Sequence, residues 1–228
     1  MVARKKVFLK KVPLFSDIGG DELKQIAEVT SERFYRKGTY LFFENEPGNA
    51  LFIIISGLVK IYKSDISGKT KTLSFLREND FFGEMSMLDE EIRSASAQVL
   101  EDTRIYILHR SDFQKKLMHN PSICIKIMRT LSARLREADR QIQNIVFRNL
   151  PGRVAQTLID MADKYGRKTK EGTLIDLKLT HQELAEMVGT AREVVSAILG
   201  QFRTAECINI DKHYITITNK KELSTWIT

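Results

Sequence analysis

The sequence predicts an α+β protein in which a β-rich domain is followed by a long helix and then by a small domain of helices and a β-hairpin. Three observations carry this prediction. Short strand-like runs separated by turn residues fill residues 32–109, and an apolar seam with helical spacing extends from Met128 to Ile145. A helical hairpin and two further strand-like runs then occupy residues 179–218.

The first domain is predicted to be a sandwich or barrel, because its short runs are evenly spaced between turn signals such as Ser67-Gly68. A short helix over residues 18–30, with Asp21 as its cap, precedes it. The predicted strands are Thr39–Phe43, Leu51–Ser56, Leu58–Lys63, Thr70–Phe75, Ser96–Leu100 and Arg104–Leu108.

A narrow apolar seam marks the long helix, with successive members three and four residues apart over about three heptads. Such a seam on an otherwise polar helix packs against another helix, either in its own domain or, as we favour, in the second subunit of a parallel dimer. Its members are Met128, Leu131, Leu135, Ala138, Ile142 and Ile145.

The sequence Asn149-Leu150-Pro151-Gly152 predicts a break after the long helix, because proline and glycine together stop or bend a helix. We place a domain boundary there. An amphipathic helix over Arg153–Lys164 and a charged loop over Tyr165–Gly172 should follow, with strand-like runs at Cys207–Ile210 and Tyr214–Thr218 near the end.

The segment Leu179–Leu199 has the pattern of a helix-turn-helix. Thr180 and Glu183 form a capping box that begins the first helix. Gly189 ends that helix and can take the left-handed conformation that a tight turn needs. A second helix from about Ala191 to Gln201 should enter the DNA major groove, and the strands after it would form a wing.

The segment Phe82–Ala97 is a candidate site for the phosphate ester of a sugar. Gly83 allows close approach of the backbone, and free amides at the start of a helix bind oxyanions. Arg93 supplies a directed positive charge, while Glu84 can accept a hydrogen bond from a sugar hydroxyl. The alternative is an ion pair between Glu84 and Arg93 on the protein surface.

The composition of the chain excludes several classes of protein. The chain has 228 residues, 36 basic against 29 acidic side chains and only two cysteines, Cys124 and Cys207. No apolar run approaches the length of a membrane span and no signal peptide is evident, so we expect a cytoplasmic protein without a membrane partner. Two cysteines exclude a disulfide scaffold and a cysteine-built metal centre. We assign no catalytic residues and no metal ligands, since no nucleophile–base pair, metal spacing or phosphate-binding Walker loop appears.

Taken together, these motifs resemble the catabolite activator protein (cAMP receptor protein)/FNR superfamily of bacterial transcription regulators over nearly the whole chain. The resemblance rests on Gly57-Leu58-Val59-Lys60, the FGE at 82–84, the RSA at 93–95, Gly152–Leu158 and the helix-turn-helix. It implies an N-terminal cyclic-nucleotide-binding β-roll (jelly roll), a long dimerisation helix and a C-terminal winged helix-turn-helix. The corresponding domains would be 1–111, 112–148 and 149–228.

The resemblance also implies the effector contacts, with no permanently bound cofactor and with cAMP or cGMP as candidate effector. The phosphate half of the site matches the family, whereas the base half departs from it: Ala138 and Asp139 stand where cAMP-binding members place a Thr-Ser pair. Asp139 could accept from adenine N6 or from guanine N1 and N2. A nucleotide-independent regulator, sensing through thiols or another ligand or acting constitutively, stays open. The implied effector residues are Gly83, Glu84, Met85, Arg93, Ser94, Ala138 and Asp139.

For the DNA-binding domain the resemblance implies double-stranded DNA with an inverted repeat as partner, bound by a homodimer, and RNA polymerase as a further partner. Arg192 and Glu193 match the family's recognition helix and Ser196 matches its FNR-like members, but Ala197 replaces a later arginine, so we expect a different half-site. The implied DNA contacts are Thr180, His181, Gln182, Thr190, Ala191, Arg192, Glu193, Ser196 and Ala197.

Overall fold

The fold is described from a computed structural model, which covers residues 2–116 and 120–227. The chain divides into two compact units, one formed by Met1–Ser64 and Thr72–Leu135, the other by Asp65–Lys71 and Arg136–Thr228. The helices are α1 (Val2–Leu9), α2 (Gly20–Val29), α3 (Met85–Leu88), α4 (Arg110–Lys116), α5 (Pro121–Phe147), α6 (Leu150–Tyr165), α7 (His181–Val188), α8 (Arg192–Thr204) and α9 (Lys220–Thr225). The strands are β1 (Ser31–Tyr35), β2 (Tyr40–Phe42), β3 (Ala50–Ser56), β4 (Val59–Ser64), β5 (Thr70–Leu76), β6 (Phe81–Phe82), β7 (Ser96–Val99), β8 (Thr103–His109), β9 (Gly166–Thr169), β10 (Gly172–Ile175), β11 (Ile208–Asp211) and β12 (Tyr214–Ile217).

The first unit contains two four-stranded sheets, in the orders β1-β8-β3-β6 and β2-β7-β4-β5. The sequence of strand β3 is a nearly continuous apolar run because both faces of the strand are buried. Leu51 and Ile53 belong to a core shared with the helices, and Phe52 and Ile54 belong to the core of the β-roll. This alternation follows from the two-residue period of a strand.

All six strands predicted for the first domain are present, so the β-rich prediction is confirmed. Strands β1 and β6 were not predicted, because β1 is largely exposed and β6 has only two residues. The prediction that Asp21 caps α2 is wrong. The helix is capped at Gly19, whose amide donates to the Glu22 carboxylate at 3.3 Å, and Asp21 lies within the first turn.

The predicted break between the helices is confirmed: α5 ends at Phe147 and α6 begins at Leu150. Asn149 caps α6 through its side chain, which accepts from the Gly152 amide at 2.8 Å. Proline fits the first turn because its missing N–H would lack a helical partner there. Helix α6 therefore begins three residues before the predicted start at Arg153.

In the second unit, strands β11, β12, β10 and β9 form one antiparallel sheet in that order. The prediction of a loop over Tyr165–Gly172 is wrong, because β9 lies in this segment and pairs with β10. Strand β9 is an exposed edge strand with the sequence Gly-Arg-Lys-Thr, which has no apolar alternation to indicate a strand.

The predicted dimer seam lies on α5 with four of its large side chains exposed. Met128, Leu135, Ile142 and Ile145 are each more than half exposed, while Leu131 packs against the core shared by the helices and strand β3. The domain limits predicted at 111 and 148 stay predictions, since α5 contributes to both compact units.

Within residues 2–116 and 120–227, no helix is long and apolar enough to cross a membrane. The same residues contain no cluster of three or more His, Cys, Asp or Glu side chains suited to a metal ion.

Candidate effector site and DNA-reading surface

The candidate effector site lies where β6 leads through Gly83 into the short helix α3. Gly83 has a φ of 81°, and a Cβ there would stand 2.7 Å from an Arg93 terminal nitrogen and 2.9 Å from the Ala50 carbonyl oxygen. Only glycine fits both the conformation and the space. Backbone hydrogen bonds hold Arg93 opposite this turn: its amide donates to Glu46 O at 2.8 Å, and its carbonyl accepts from the Asn45 amide at 2.9 Å.

Arg93 is buried and its guanidinium points into the protein. One terminal nitrogen donates to Gly83 O and to Ser86 Oγ, both at 2.9 Å, and the other donates to Ala50 O at 3.1 Å. The ring of Phe42 lies 4.3 Å from the guanidinium carbon, within the range of a cation–π contact. Both terminal nitrogens of Arg93 are therefore already hydrogen-bonded to protein atoms.

Glu84 is buried to 1% exposure and forms an ion pair with Arg134 of helix α5. Arg134 also donates to Phe81 O at 2.9 Å, which fixes its side chain over β6. Burial is the main effect on Glu84 and raises the pKa of its carboxyl group, while Arg134 and Arg93 oppose that shift. A surface ion pair between Glu84 and Arg93, the alternative drawn from the sequence, is wrong because both side chains are buried.

Among the buried atoms of this site that have no hydrogen-bond partner within the described residues are Glu84 Oε2, an acceptor, and two donors, Arg93 Nε and Arg110 Nε. An unsatisfied buried polar atom costs about 1–3 kcal/mol, more when it is charged. Glu84 Oε2 and Arg93 Nε thus each have an unused capacity for one hydrogen bond.

The remaining predicted effector residues are exposed. Ser94 donates a weak hydrogen bond to Met85 Sδ at 3.5 Å, and both side chains reach solvent. Ala138 and Asp139 are exposed on α5, about one helical turn beyond Arg134.

The helix-turn-helix is formed by α7 and α8. Thr180 caps α7, where its hydroxyl accepts from the Glu183 amide at 3.1 Å and its amide donates to the Glu183 carboxylate at 2.7 Å. Gly189 ends the helix with a φ of 78°. The capping box and the glycine turn were both predicted from the sequence and both are confirmed.

Helix α8 keeps Val195 and Ile198 in the core and leaves its opposite side in solvent. Ala191 is its N-cap residue, and Ser196 bonds to its own helix, donating to Arg192 O at 3.0 Å. Of the predicted DNA contacts, the exposed residues are Thr180, Gln182, Ala191, Arg192, Glu193 and Ala197, whereas His181, Thr190 and Ser196 are partly buried.

Comparison with known proteins decides the family. A family model for the cyclic nucleotide-binding domain matches residues 32–120, and one for the Crp-like helix-turn-helix domain matches residues 152–226. The anaerobic regulatory protein of Bacillus subtilis is 33% identical over 94% of this chain and 91% of its own length. The cyclic AMP receptor protein of Thermus thermophilus is 33% identical over 84% of this chain and 85% of its own length.

The chain belongs to the CRP/FNR superfamily. A solved structure of a CooA mutant from Carboxydothermus hydrogenoformans shares the fold, with a TM-score of 0.79 and 24% identity over 97% of this chain and 95% of its own. The predicted class, a DNA-binding transcription regulator of the CRP/FNR type with an effector domain, is thereby confirmed.

Three residues of the candidate effector site were not predicted from the sequence: Ser86, Arg110 and Arg134. Arg110 donates to Gly48 O at 2.8 Å and to Ser86 O, so it holds two segments of the site together. Arg134 is one of several arginines in α5, and nothing in its sequence position distinguishes it from the others. Ser86 lies between the FGE at 82–84 and the RSA at 93–95, and its polar side chain is the one feature of the sequence that could have indicated a place in the site.

Proposed function

We propose that this CRP/FNR regulator acts in the cytoplasm as a homodimer whose affinity for DNA is controlled by a cyclic nucleotide bound at Gly83, Glu84, Arg93 and Ser94. The observation that carries the proposal is the pair of buried atoms without a partner, Glu84 Oε2 and Arg93 Nε. They form an acceptor and a donor in the segment that the family model for cyclic nucleotide binding matches.

The chemistry of the two atoms fits a ribose cyclic phosphate. Glu84 Oε2 can accept a hydrogen bond from a ribose hydroxyl, and Arg93 Nε can donate to a phosphate oxygen with a charge-assisted bond. The exposed Ser94 hydroxyl would supply a further donor to the phosphate. Contacts of Ala138 and Asp139 with the base, and of the Met85 backbone with the phosphate, belong to the same proposal.

Dimerisation through α5 is supported by the exposed side chains of the seam, Met128, Leu135, Ile142 and Ile145, with Leu131 and Ala138 between them. Apolar side chains repeating with this spacing bury their surface when two helices form a coiled coil. Two subunits would then present two recognition helices to DNA, so we expect an inverted repeat with half-sites about one helical turn apart.

For DNA reading we propose that α8 enters the major groove. Arg192 would bond to guanine and Glu193 would accept from cytosine N4, whereas Ala197 offers no hydrogen bond. Thr180, Gln182 and Thr190 would contact phosphates, with Ala191 and Ser196 close to the bases. An activator would in addition contact RNA polymerase.

Calorimetric titration with cAMP and with cGMP tests the effector site. We expect micromolar binding of one nucleotide, lost in Arg93→Gln and weakened about tenfold in Ser94→Ala, since a hydrogen bond to a charged group contributes about 1.5–3 kcal/mol. Ser94 is exposed, so its substitution should leave the fold intact, and Ser111→Ala is the matched control. The absence of heat with either nucleotide would refute nucleotide control.

A second candidate, a nucleotide-independent regulator, is favoured by one observation: the terminal nitrogens of Arg93 already bond to protein acceptors. Relatives named for other signals, such as the anaerobic regulatory protein of Bacillus subtilis, are compatible with it. A thiol sensor at Cys207 has less support, since this thiol is fully buried and burial raises its pKa. The same titration separates the two candidates.

A further inference from the structure

The DNA-binding region contains two histidines. His181 begins helix α7 of the helix-turn-helix, and His213 lies in the turn between the wing strands β11 and β12. Residues 149–228 carry eleven Lys and Arg against ten Asp and Glu, so the net charge of this region with neutral histidines is only +1. Protonation of His181 would raise it to +2. Because phosphate neutralisation drives much of DNA binding, one added positive charge on this surface can alter the affinity for DNA.

The hydrogen bonds of His181 determine which of its ring nitrogens titrates. Ser196 Oγ donates its single proton to the Arg192 carbonyl at 3.0 Å, since a carbonyl oxygen only accepts. His181 Nδ1 lies 2.7 Å from the same Oγ, and with the Ser196 proton directed at the Arg192 carbonyl, Nδ1 is the donor of this contact. The proton on Nδ1 is held in place, which leaves Nε2 as the nitrogen that gains or loses a proton.

This arrangement makes the state of Nε2 decisive for any phosphate contact. Neutral Nε2 presents a lone pair, which repels a phosphate oxygen because both are acceptors. Protonated Nε2 donates a charge-assisted hydrogen bond to the same oxygen. The hydrogen bonds from Nδ1 to Ser196 Oγ and from Ser196 Oγ to the Arg192 carbonyl are the same in both protonation states. Protonation of Nε2 therefore requires no rearrangement of these side chains.

The groups around His181 disfavour its charged form in the free protein. Burial lowers the pKa of His181, and Arg192 on α8 and His213 on the wing lower it further. The wing is held close by its backbone, since the His213 carbonyl accepts from the Leu179 amide at 2.9 Å. On the helix of His181, the Glu183 carboxylate is engaged by the Thr180 amide and hydroxyl.

The wing turn itself places His213 in solvent. Lys212 and His213 have φ values of 45° and 71°, and both are exposed beside Asp211 at the end of β11. A histidine there can reach a phosphate without displacing another side chain.

We propose that His181 is a proton-gated contact to a DNA backbone phosphate and that His213, exposed in the wing turn, is a further contact to the backbone. The affinity of this regulator for DNA then rises as the pH falls. The inference rests on the proposed DNA-reading surface and adds to it a regulation of that surface by protons.

The direction follows from linkage. DNA phosphates stabilise the imidazolium of His181, so the pKa of His181 is higher in the complex than in the free protein, and binding takes up a proton. The affinity for DNA therefore increases as the pH falls between the bound-state and free-state pKa values of His181. The limit is about tenfold for each pH unit, because one pKa unit corresponds to a factor of ten.

The test uses the full chain and a fluorescent 30-base-pair duplex, selected from a random library at pH 6.0 with and without 1 mM cAMP. Anisotropy titrations at constant ionic strength should show about a tenfold gain in affinity between pH 7.5 and pH 6.0. The slope of log affinity against log salt should also be steeper at pH 6.0 by about 0.9 for each protonated contact.

Variants assign the effect to its residues. His181→Gln should flatten the pH profile, and His181→Arg should bind DNA with little pH dependence. His213→Gln should weaken binding and keep the pH profile. His109→Gln, an exposed histidine of the first unit, is the matched control and should keep the full profile. Equal profiles for the wild type and His181→Gln would overturn the inference while leaving the proposed DNA-binding function standing. Failure to select or bind any duplex would overturn both.

Discussion

Substituting Arg134 by alanine should destabilise the first unit, because it removes the partner of a buried carboxylate. Two interactions are lost: the ion pair with Glu84 and the hydrogen bond to Phe81 O at 2.9 Å. Breaking a fully buried pair costs about 3–5 kcal/mol. Since the Arg134 side chain is 39% exposed, solvent screens part of this interaction, and we expect a loss of about 2 kcal/mol.

Urea unfolding followed by circular dichroism, at one protein concentration, measures this loss. With a slope of about 2 kcal/mol per molar urea, the unfolding midpoint should fall by about 1 M. Arg129→Ala, an exposed arginine on the same helix, is the control and should change the free energy of unfolding by less than about 0.5 kcal/mol. Glu84→Gln combined with Arg134→Ala should be less destabilised than Arg134→Ala alone, since no buried charge is left unpaired.

The pH dependence supplies a second readout. Burial raises the pKa of Glu84, so the folded protein binds this proton more tightly than the unfolded chain does. The stability contributed by this group is therefore complete below the unfolded pKa and is lost as the pH rises through the folded one. Arg134→Ala removes the opposing charge and should enlarge the loss of stability as the pH rises from the unfolded pKa through the folded one. Equal stability of Arg134→Ala and Arg129→Ala across this range would refute the account.

Three further predictions concern the seam, a glycine and the thiols. Leu135→Lys, at a position 64% exposed, should weaken dimerisation at least 100-fold in sedimentation experiments without changing the helix content, since each buried leucine contributes about 1.5–3 kcal/mol. An unchanged dimer would exclude this seam as the interface. Gly48→Ala should abolish effector binding and cost about 1–3 kcal/mol in urea unfolding, because its Cβ would stand 2.2 Å from Ser86 Oγ; normal nucleotide affinity would contradict this. Cys207 should react with a thiol reagent at pH 7.5 only after unfolding, unlike the half-buried Cys124, and prompt labelling of Cys207 would be evidence against its buried position.

The parts of the fold that the sequence predicted are those in which local pattern and burial agree. Strand β3 was recognisable because both of its faces are buried, which gives a continuous apolar run. The end of α7 was recognisable because Gly189 is a residue that readily adopts a positive φ. Strand β9 was missed for the opposite reason, since an exposed and charged edge strand leaves no periodicity to detect.

In the candidate site, the sequence identified the chemical groups but not their partners. Glu84 and Arg93 were selected for their chemistry as contacts to a sugar phosphate, yet neither the inward direction of Arg93 nor the contact of Arg134 with Glu84 was predicted. Arg134 lies fifty residues from Glu84, and its contact depends on how α5 packs against β6. Such long-range side-chain contacts leave no signal in the spacing of a single sequence.

The most direct test of nucleotide control is the affinity of the purified protein for its selected duplex, measured with and without a saturating cyclic nucleotide. Coupling between two sites is typically 5–150-fold, so we predict that cAMP or cGMP changes the dissociation constant at least fivefold and that Arg93→Gln abolishes the change. A dissociation constant that is the same with cAMP, with cGMP and without either would contradict the account.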